Sequence, residues 1–209
     1  MEDVLDVYAR PKDTKRPLVC LDEGSKQLLA DSRPSLPMQS GHPVREDYEY
    51  VRQGTCSFFM TFAPLRSWHH VYVTERRTAR DFAHVVKNLC DVQFAEAEKI
   101  VLVMDNLNTH TAASLCEAFA PAEAKRLADK LEIHYTPKHG SWLDMAEIEL
   151  SVLARQCLNA HLPDVSTLSR EIAAWETQRN KAQMTVHWHF TTADARTRLK
   201  KLYPCVLSG

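Results

Sequence analysis

Apolar positions fall along the chain in two rhythms. "RPLVCLDEGSKQLL" opens with an apolar run at residues 18–21 and stops at an acidic pair and Gly24, a pattern that predicts a buried strand entering a turn. "TCSFFMTFAP" and "WHHVYVTE", rich in aromatic and β-branched residues, predict two further strands and, with the first, an antiparallel meander. The rhythm then changes. In "TARDFAHVVKNLCDVQF" the apolar residues Phe82, Val85, Val86 and Leu89 are spaced as on one face of a helix, and Thr78 with Asp81 three residues on can cap it. "KIVLVMDNLNTH" is almost continuously apolar up to Asp105, which suits a strand covered on both faces by helices. A short helix, a strand in "LEIHYTP", a long helix from about Asp144, a helix in "STLSREIAAWETQRNKAQ" and a last short one in "TTADARTRLKKLY" complete the series. Strands first, then helix and strand in alternation, predict an α/β fold. Residues 31–54 carry three prolines and two glycines and read as a loop or irregular hairpin arm.

Length and composition narrow the class. A chain of 209 residues, 44% hydrophobic and 25% charged, is long enough for one domain with a proper core; it is read as a single domain over 1–209, with its C-terminal helices in 164–209. No apolar run approaches the roughly 18–20 residues needed to cross a bilayer. The opening "MEDVLDVYAR" is acidic and lacks the layout of a signal peptide, so a cytoplasmic location is expected, with no membrane partner. The six cysteines (20, 56, 90, 116, 157 and 205) form no C-x-x-C pair, which argues against zinc and for free, packed thiols. A net charge of −1 gives no global signature of nucleic-acid binding. Positive charge for such a partner would have to be local or come from another segment or subunit.

The acids carry the chemistry. Asp22 and Asp105 each end an apolar strand. Neighbouring strand ends in one sheet can bring two carboxylates within a few ångströms, a repulsive pair unless a divalent cation joins them. Magnesium and manganese prefer such hard oxygens and leave positions open for water and phosphate. A third acid from the helix after the last strand would complete a site for two ions. Ordinary readings exist for each: a strand-end Asp often serves a turn, Asp144 and Glu147 fit the D-x-x-E of a capping box, and Glu149 reads as a solvated helix acid. At about 100° per residue, the apolar arc of that helix centres on Ala146, Leu150, Leu153 and Cys157. Glu147 and Glu149 flank it on opposite sides, and periodicity leaves both open.

"VCLDEGSKQLL", "VLVMDNLNTH", "YTPKHGSWLDMAEIELSVLARQCL" and "FTTADARTRLKKLYP" together resemble the transposases of a bacterial insertion-sequence branch (the six-thirty type) of the Tc/mariner superfamily. The likeness runs from about residue 1 to 204. It implies a DDE-type enzyme with a ribonuclease-H-like fold: a mixed five-stranded sheet flanked by helices. It maps the catalytic, metal-holding acids onto Asp22, onto Asp105 with Asn106 and His110 in D-N-x-x-x-H, and onto Glu147 in Leu143-Asp144-Met145-Ala146-Glu147, favouring Glu147 over Glu149. The separations are 105 − 22 = 83 and 147 − 105 = 42 residues. Asp144 stands where that family usually has Asn.

The implied cofactor is a pair of Mg²⁺ (or Mn²⁺) ions. The implied partners are DNA, as terminal inverted repeats and target, and a second copy in a homodimer. The helix-turn-helix region that usually precedes such a core is not in the sequence, so a separately encoded helix-turn-helix subunit, a truncated copy or a shortened form is expected. Lys138 and His139, just ahead of Glu147, are candidate contacts to the scissile phosphate. His110 is a candidate substrate or supporting contact, and Arg33, Arg45 and Arg52 are candidates for gripping the DNA backbone. Trp142 and Trp188 read as core. Rival functions are a ribonuclease-H-like nuclease or resolvase without strand transfer, and a non-catalytic interaction module.

Overall fold

The structure, a computed structural model, describes residues 1–32, 49–138 and 140–203. A five-stranded sheet in the order β3-β2-β1-β4-β5 forms its centre. β1 (Leu18–Asp31), β2 (Tyr50–Ala63) and β3 (Trp68–Thr74) run antiparallel, while β4 (Ile100–Met104) and β5 (Leu131–Tyr135) run parallel to β1. That is the arrangement the resemblance implies.

Side-chain alternation along the central strands sends two rows to two separate cores. Leu18, Cys20, Val101 and Val103 join Met60 and Phe62 on one face, beneath α5 (Met145–Gln156) and α6 (Val165–Lys181). Val19, Leu21, Ile100, Leu102 and Met104 join Phe59 on the other, beneath α2 (Ala79–Asn88), α3 (Ala112–Ala118) and α4 (Pro121–Asp129). Full burial of each such side chain stabilises by about 1.5–3 kcal/mol. α1 (Glu2–Tyr8) and α7 (Thr192–Arg198) pack together beside the first core, tied by Arg196 to Glu2 at 2.7 Å through both Nε and Nη2.

Several local expectations hold. Thr78 accepts from Asp81 N while Asp81 accepts from Thr78 N, a complete capping box on α2. The thiols of Cys20, Cys56, Cys90, Cys116 and Cys157 are free. Among the described residues no helix is long and apolar enough to cross a membrane.

Others need correction. β1 does not stop at an acidic turn; it continues to Asp31 through Gly24, paired with β2 along its length. Gly24 has no side chain because the Phe58 ring lies over it: a Cβ there would stand 2.5 Å from Phe58 Cε2. The expected irregular arm is correspondingly shorter, since residues 50–54 already belong to β2. Its middle, with Arg33 and Arg45, lies outside the described residues. Two helices rather than one join β4 to β5, because Phe119 and Ala120 are extended and Pro121 restarts the helix at its first position, where the missing N–H costs nothing.

Candidate active site at the ends of the central strands

β1 and β4 are parallel neighbours paired as far as Leu21 with Met104. One step further along both strands stand Asp22 and Asp105. Asp22 continues the row Leu18–Cys20, so strand alternation assigns it to the face that carries α5, while Asp105 follows the last residue of β4 and its carboxyl meets His110, whose ring packs on Phe82 of α2. The break in pairing beyond Met104 is what leaves these two carboxyl groups open. Into the same place comes the start of α5: Asp144 caps it, Oδ1 accepting from Ala146 N at 2.8 Å, and Glu147 stands exposed on its first turn. Glu147 does not return a bond to the cap, so the D-x-x-E spells a cap without the box.

Electrostatics places the acids in one field. Burial pushes the Asp22 carboxyl up to about 7, and the charges of Glu23, Asp105 and Glu147 add to that rise. The bond from Glu23 N to Asp22 Oδ1, at 2.8 Å, works against it. The charges of Asp105 and Glu147, which lie 83 and 125 residues beyond Asp22 in sequence, thus both act on its carboxyl.

Glu149 is not part of this group, and it is not a solvated acid. It is 1% exposed and turned to the opposite side of α5, where Arg179 Nη2 donates to its two oxygens at 2.7 and 2.5 Å. His69 Nε2 lies 3.2 Å from Oε2. Burial alone would raise the Glu149 carboxyl; His69 and Arg179 outweigh it and hold it below the usual range. The compensating partners come from β3 and α6, so no periodicity within α5 could reveal the pairing.

Asp105 is held by His110. Nδ1 of the imidazole lies 2.6 Å from Asp105 Oδ1, and Nε2 lies 3.0 Å from Glu23 Oε2, close enough for an ion pair though poorly aligned for a hydrogen bond. The ring is fully buried against Phe82 at 4.8 Å, and Tyr135 Oη donates to the His110 carbonyl at 2.9 Å. Burial opposes charge on this imidazole, but the Asp105 and Glu23 carboxylates prevail and lift it to about 9. Glu23 was missed from sequence although it sits next to Asp22. Alternation turns it to the opposite face of β1, toward α2, with Arg77 3.6 Å away.

The remaining candidates divide. Lys138 lies exposed in the turn after β5. His139 lies outside the described residues. Arg52 is exposed but pairs with Leu29, seven residues along β1 from Asp22 (29 − 22), about 23 Å at strand rise, and so stands away from the acids. Trp142 is not core: it is 43% exposed on the 3₁₀ turn before α5, covered on one face by Trp188 in a stacked pair with centroids 6.3 Å apart.

Which residues suit a metal ion follows from donor chemistry. One atom each of Glu23, Asp105 and His110 lie within 4.8 Å of one another. Both ring nitrogens of His110 already face carboxylates, so the imidazole serves as a brace. Asp22 and Glu147 join no such group among the described residues, though they offer oxygen donors of the kind a hard divalent cation prefers.

Comparison with known proteins gives three findings. A sequence profile described as DDE superfamily endonuclease matches residues 17–169. No curated protein matches the chain by sequence. Similar solved structures include a Mos1 mariner paired end complex with Mn (TM-score 0.57, 14% identity, 86% of this chain and 54% of that one). A Mos1 strand transfer complex gives a TM-score of 0.56 at 15% identity over 83% of this chain and 50% of that one. A pre-cleavage Mos1 transpososome gives 0.55 at 12% identity over 86% and 58%. At such identities the likeness is one of fold, the mixed sheet with flanking helices, and the chain spans about half the length of the proteins it matches.

Proposed function

The chain belongs to the DDE superfamily endonucleases, and on that premise we propose that it is the catalytic domain of a DNA transposase, acting by metal-dependent strand cleavage and strand transfer. The observation that supports this reading is the register of β1 and β4, paired as far as Leu21 with Met104, one residue short of Asp22 and Asp105, with the charges of Asp105 and Glu147 both acting on the Asp22 carboxyl. In this proposal Asp22, Asp105 and Glu147 would hold two divalent ions, Mg²⁺ or Mn²⁺. Bound there, the ions supply charge neutralisation at a phosphodiester and activation of the attacking hydroxyl.

The chain's own groups do the positioning. The Glu23–His110 pair fixes the Asp105 carboxylate, since the imidazole meets one acid at each nitrogen. Glu147, exposed at the mouth, leaves the substrate side open. Lys138 offers a positive charge to the phosphate in the turn ahead of α5. Water first cuts the strand at the element end and leaves a 3′-OH; that hydroxyl then attacks target DNA, and the target's own 3′ oxygen departs. No covalent bond to protein forms. Most of the acceleration in such chemistry comes from position and electrostatics.

The same proposal extends to the Tc/mariner-type, insertion-sequence lineage of the six-thirty type in a bacterial host, to a homodimer on paired ends, and to terminal-repeat recognition by a helix-turn-helix part. Incubating the protein with pre-cleaved ends and a supercoiled plasmid tests the reaction type. Joined products with Mg²⁺ or Mn²⁺, absent in Asp105→Ala, are expected. Nicking without joining would mark a nuclease instead, and metal-dependent nicking retained in Asp105→Ala would overturn the site.

A further inference from the structure

Apolar surface gathers on the segments that carry the acids. Leu107, Trp142 and Ile148 are large apolar side chains left 38–43% exposed. Leu107 lies two residues past Asp105, Ile148 directly follows Glu147, and Trp142 stands two residues ahead of Asp144, the cap of α5. Two residues of chain span at most about 7 Å, so Trp142 is carried beside the start of that helix. It is also held still. Its turn is closed by Gly140 N on the Pro137 carbonyl at 2.7 Å, Leu143 N on the Gly140 carbonyl at 2.9 Å and Asp144 N on the Ser141 carbonyl at 2.7 Å. One face of the indole stacks on Trp188, and Phe190 meets it edge-on with centroids 5.6 Å apart. Trp188 is anchored in turn: Tyr8 lies 5.1 Å away between centroids, and its own Nε1 donates to the Phe190 carbonyl at 2.7 Å. What remains exposed is therefore the outer side of a ring already fixed from behind.

We propose that Trp142 is a stacking platform for an unpaired nucleobase of the DNA strand that enters the acid site. The inference rests on the DNA-transposase reading and adds to it a contact for a base. Continuity names the occupant. The turn runs straight into the first turn of α5, which carries Glu147, so a strand with one phosphate at the acids passes the indole with a neighbouring nucleotide. A flat aromatic face there meets a base rather than a phosphate, while Lys138, exposed earlier in the same loop, offers its charge to the backbone. Because the ring is already fixed, little side-chain freedom is lost when a second ring settles on it. Every base has a π-face, so the contact adds hold without reading sequence.

The probes are single-stranded oligothymidylate and an abasic strand of the same length, each dye-labelled and titrated with the full chain in chelator, so that no cleavage intervenes. The parent should bind oligothymidylate more tightly than the abasic strand. Trp142→Ala should lose roughly 5- to 100-fold on oligothymidylate, the range for one base–aromatic contact, and little on the abasic strand. Trp142→Phe, which keeps a smaller ring, should recover part of the loss. If Trp142→Ala does not fold, Trp142→Leu replaces it, keeping apolar bulk without a ring, and should bind oligothymidylate more weakly than Trp142→Phe. Equal losses on both strands, no loss on either, or a parent that binds the two strands alike or not at all would overturn the inference. The joining of pre-cleaved ends by the parent tests the underlying reading separately: joining retained beside any of those outcomes leaves the transposase standing and removes Trp142 from its DNA surface.

Discussion

Glu147 and Glu149 sit two residues apart on one helix and meet opposite fates. Glu149 faces inward, takes two contacts from Arg179 and one from His69, and is held ionised in the core. Glu147 faces the strand ends, exposed, and what surrounds it is more negative charge: Asp22, whose carboxyl is pushed up to about 7, and the buried Asp144. One region closes its electrostatics within the chain; the other leaves them open. Compensated charge belongs to the scaffold, and uncompensated charge of one sign, gathered from three distant segments, marks a place that functions with something else bound.

The sharpest way to break this contrast is to delete one acid from each region. Asp105→Ala or Glu147→Ala should reduce Mg²⁺-dependent nicking to background in a plasmid assay. Glu147→Ala should leave the melting temperature level or higher, because a repulsive partner is gone, whereas Asp105→Ala should lower it, because His110 loses one of its two carboxylate partners. Glu149→Ala should do the reverse. It strands Arg179 as an unpaired buried cation, and denaturant unfolding should register a loss of about 3–5 kcal/mol. The paired change Glu149→Leu with Arg179→Met should recover most of it, since a buried ion pair can often be replaced by apolar groups of like volume at little cost. A Glu149→Ala protein as stable as the parent would erase the distinction.

Protons should separate the two regions as well. The Asp22 carboxyl is raised in the folded state, from 3.8 to about 7, so its contribution is fully present below about pH 4 and lost as pH rises through 7. At about 1.4 kcal/mol per unit the loss is on the order of 4 kcal/mol at most. His110, raised from 6.5 to about 9, adds a loss of the same sign between those values. Glu149, held low, contributes above its ordinary 4.5 and loses that contribution as pH falls. Thermal melts in chelator should therefore show stability falling from pH 5 to 9. Asp22→Asn should remove the lower part of that slope, and saturating Mn²⁺ should flatten it. An unchanged slope in Asp22→Asn would place the burden on other groups.

How much of this was legible in the sequence depends on the range of each interaction. The strand and helix order followed from local periodicity, and so did the Thr78 cap on α2. Asp22 and Asp105 could be suspected as acids ending apolar runs. The choice of Glu147 over Glu149 could not be made from the helix itself, because the decisive partners, His69 and Arg179, come from β3 and α6. The reach of β1 past Gly24 was hidden for a related reason: the glycine reads as a turn until the Phe58 ring above it is known. Trp142 reads as core in the sequence, whereas its place on a surface turn, with Trp188 on one face, leaves it 43% exposed.

The smallest and most discriminating effect concerns Glu23, which lies between the two regions in character. Its side chain is 4% exposed, and its counter-charge on His110 is shared with Asp105, so it reaches the Asp105 carboxylate through one imidazole. Glu23→Gln keeps the size and the possibility of a contact to Nε2 while removing the charge. If the pair serves to aim Asp105, Mn²⁺ affinity and cleavage rate should fall about 10- to 100-fold, as for partners that orient a metal ligand. DNA binding in chelator should be unchanged, and Tm should move little. His110→Ala, which removes the direct contact to Asp105, should cost more in both readouts. If Glu23→Gln instead lowers Tm and leaves affinity and rate as they were, then Glu23 belongs with Glu149 as scaffold, and the boundary between closed and open charge passes between Glu23 and His110.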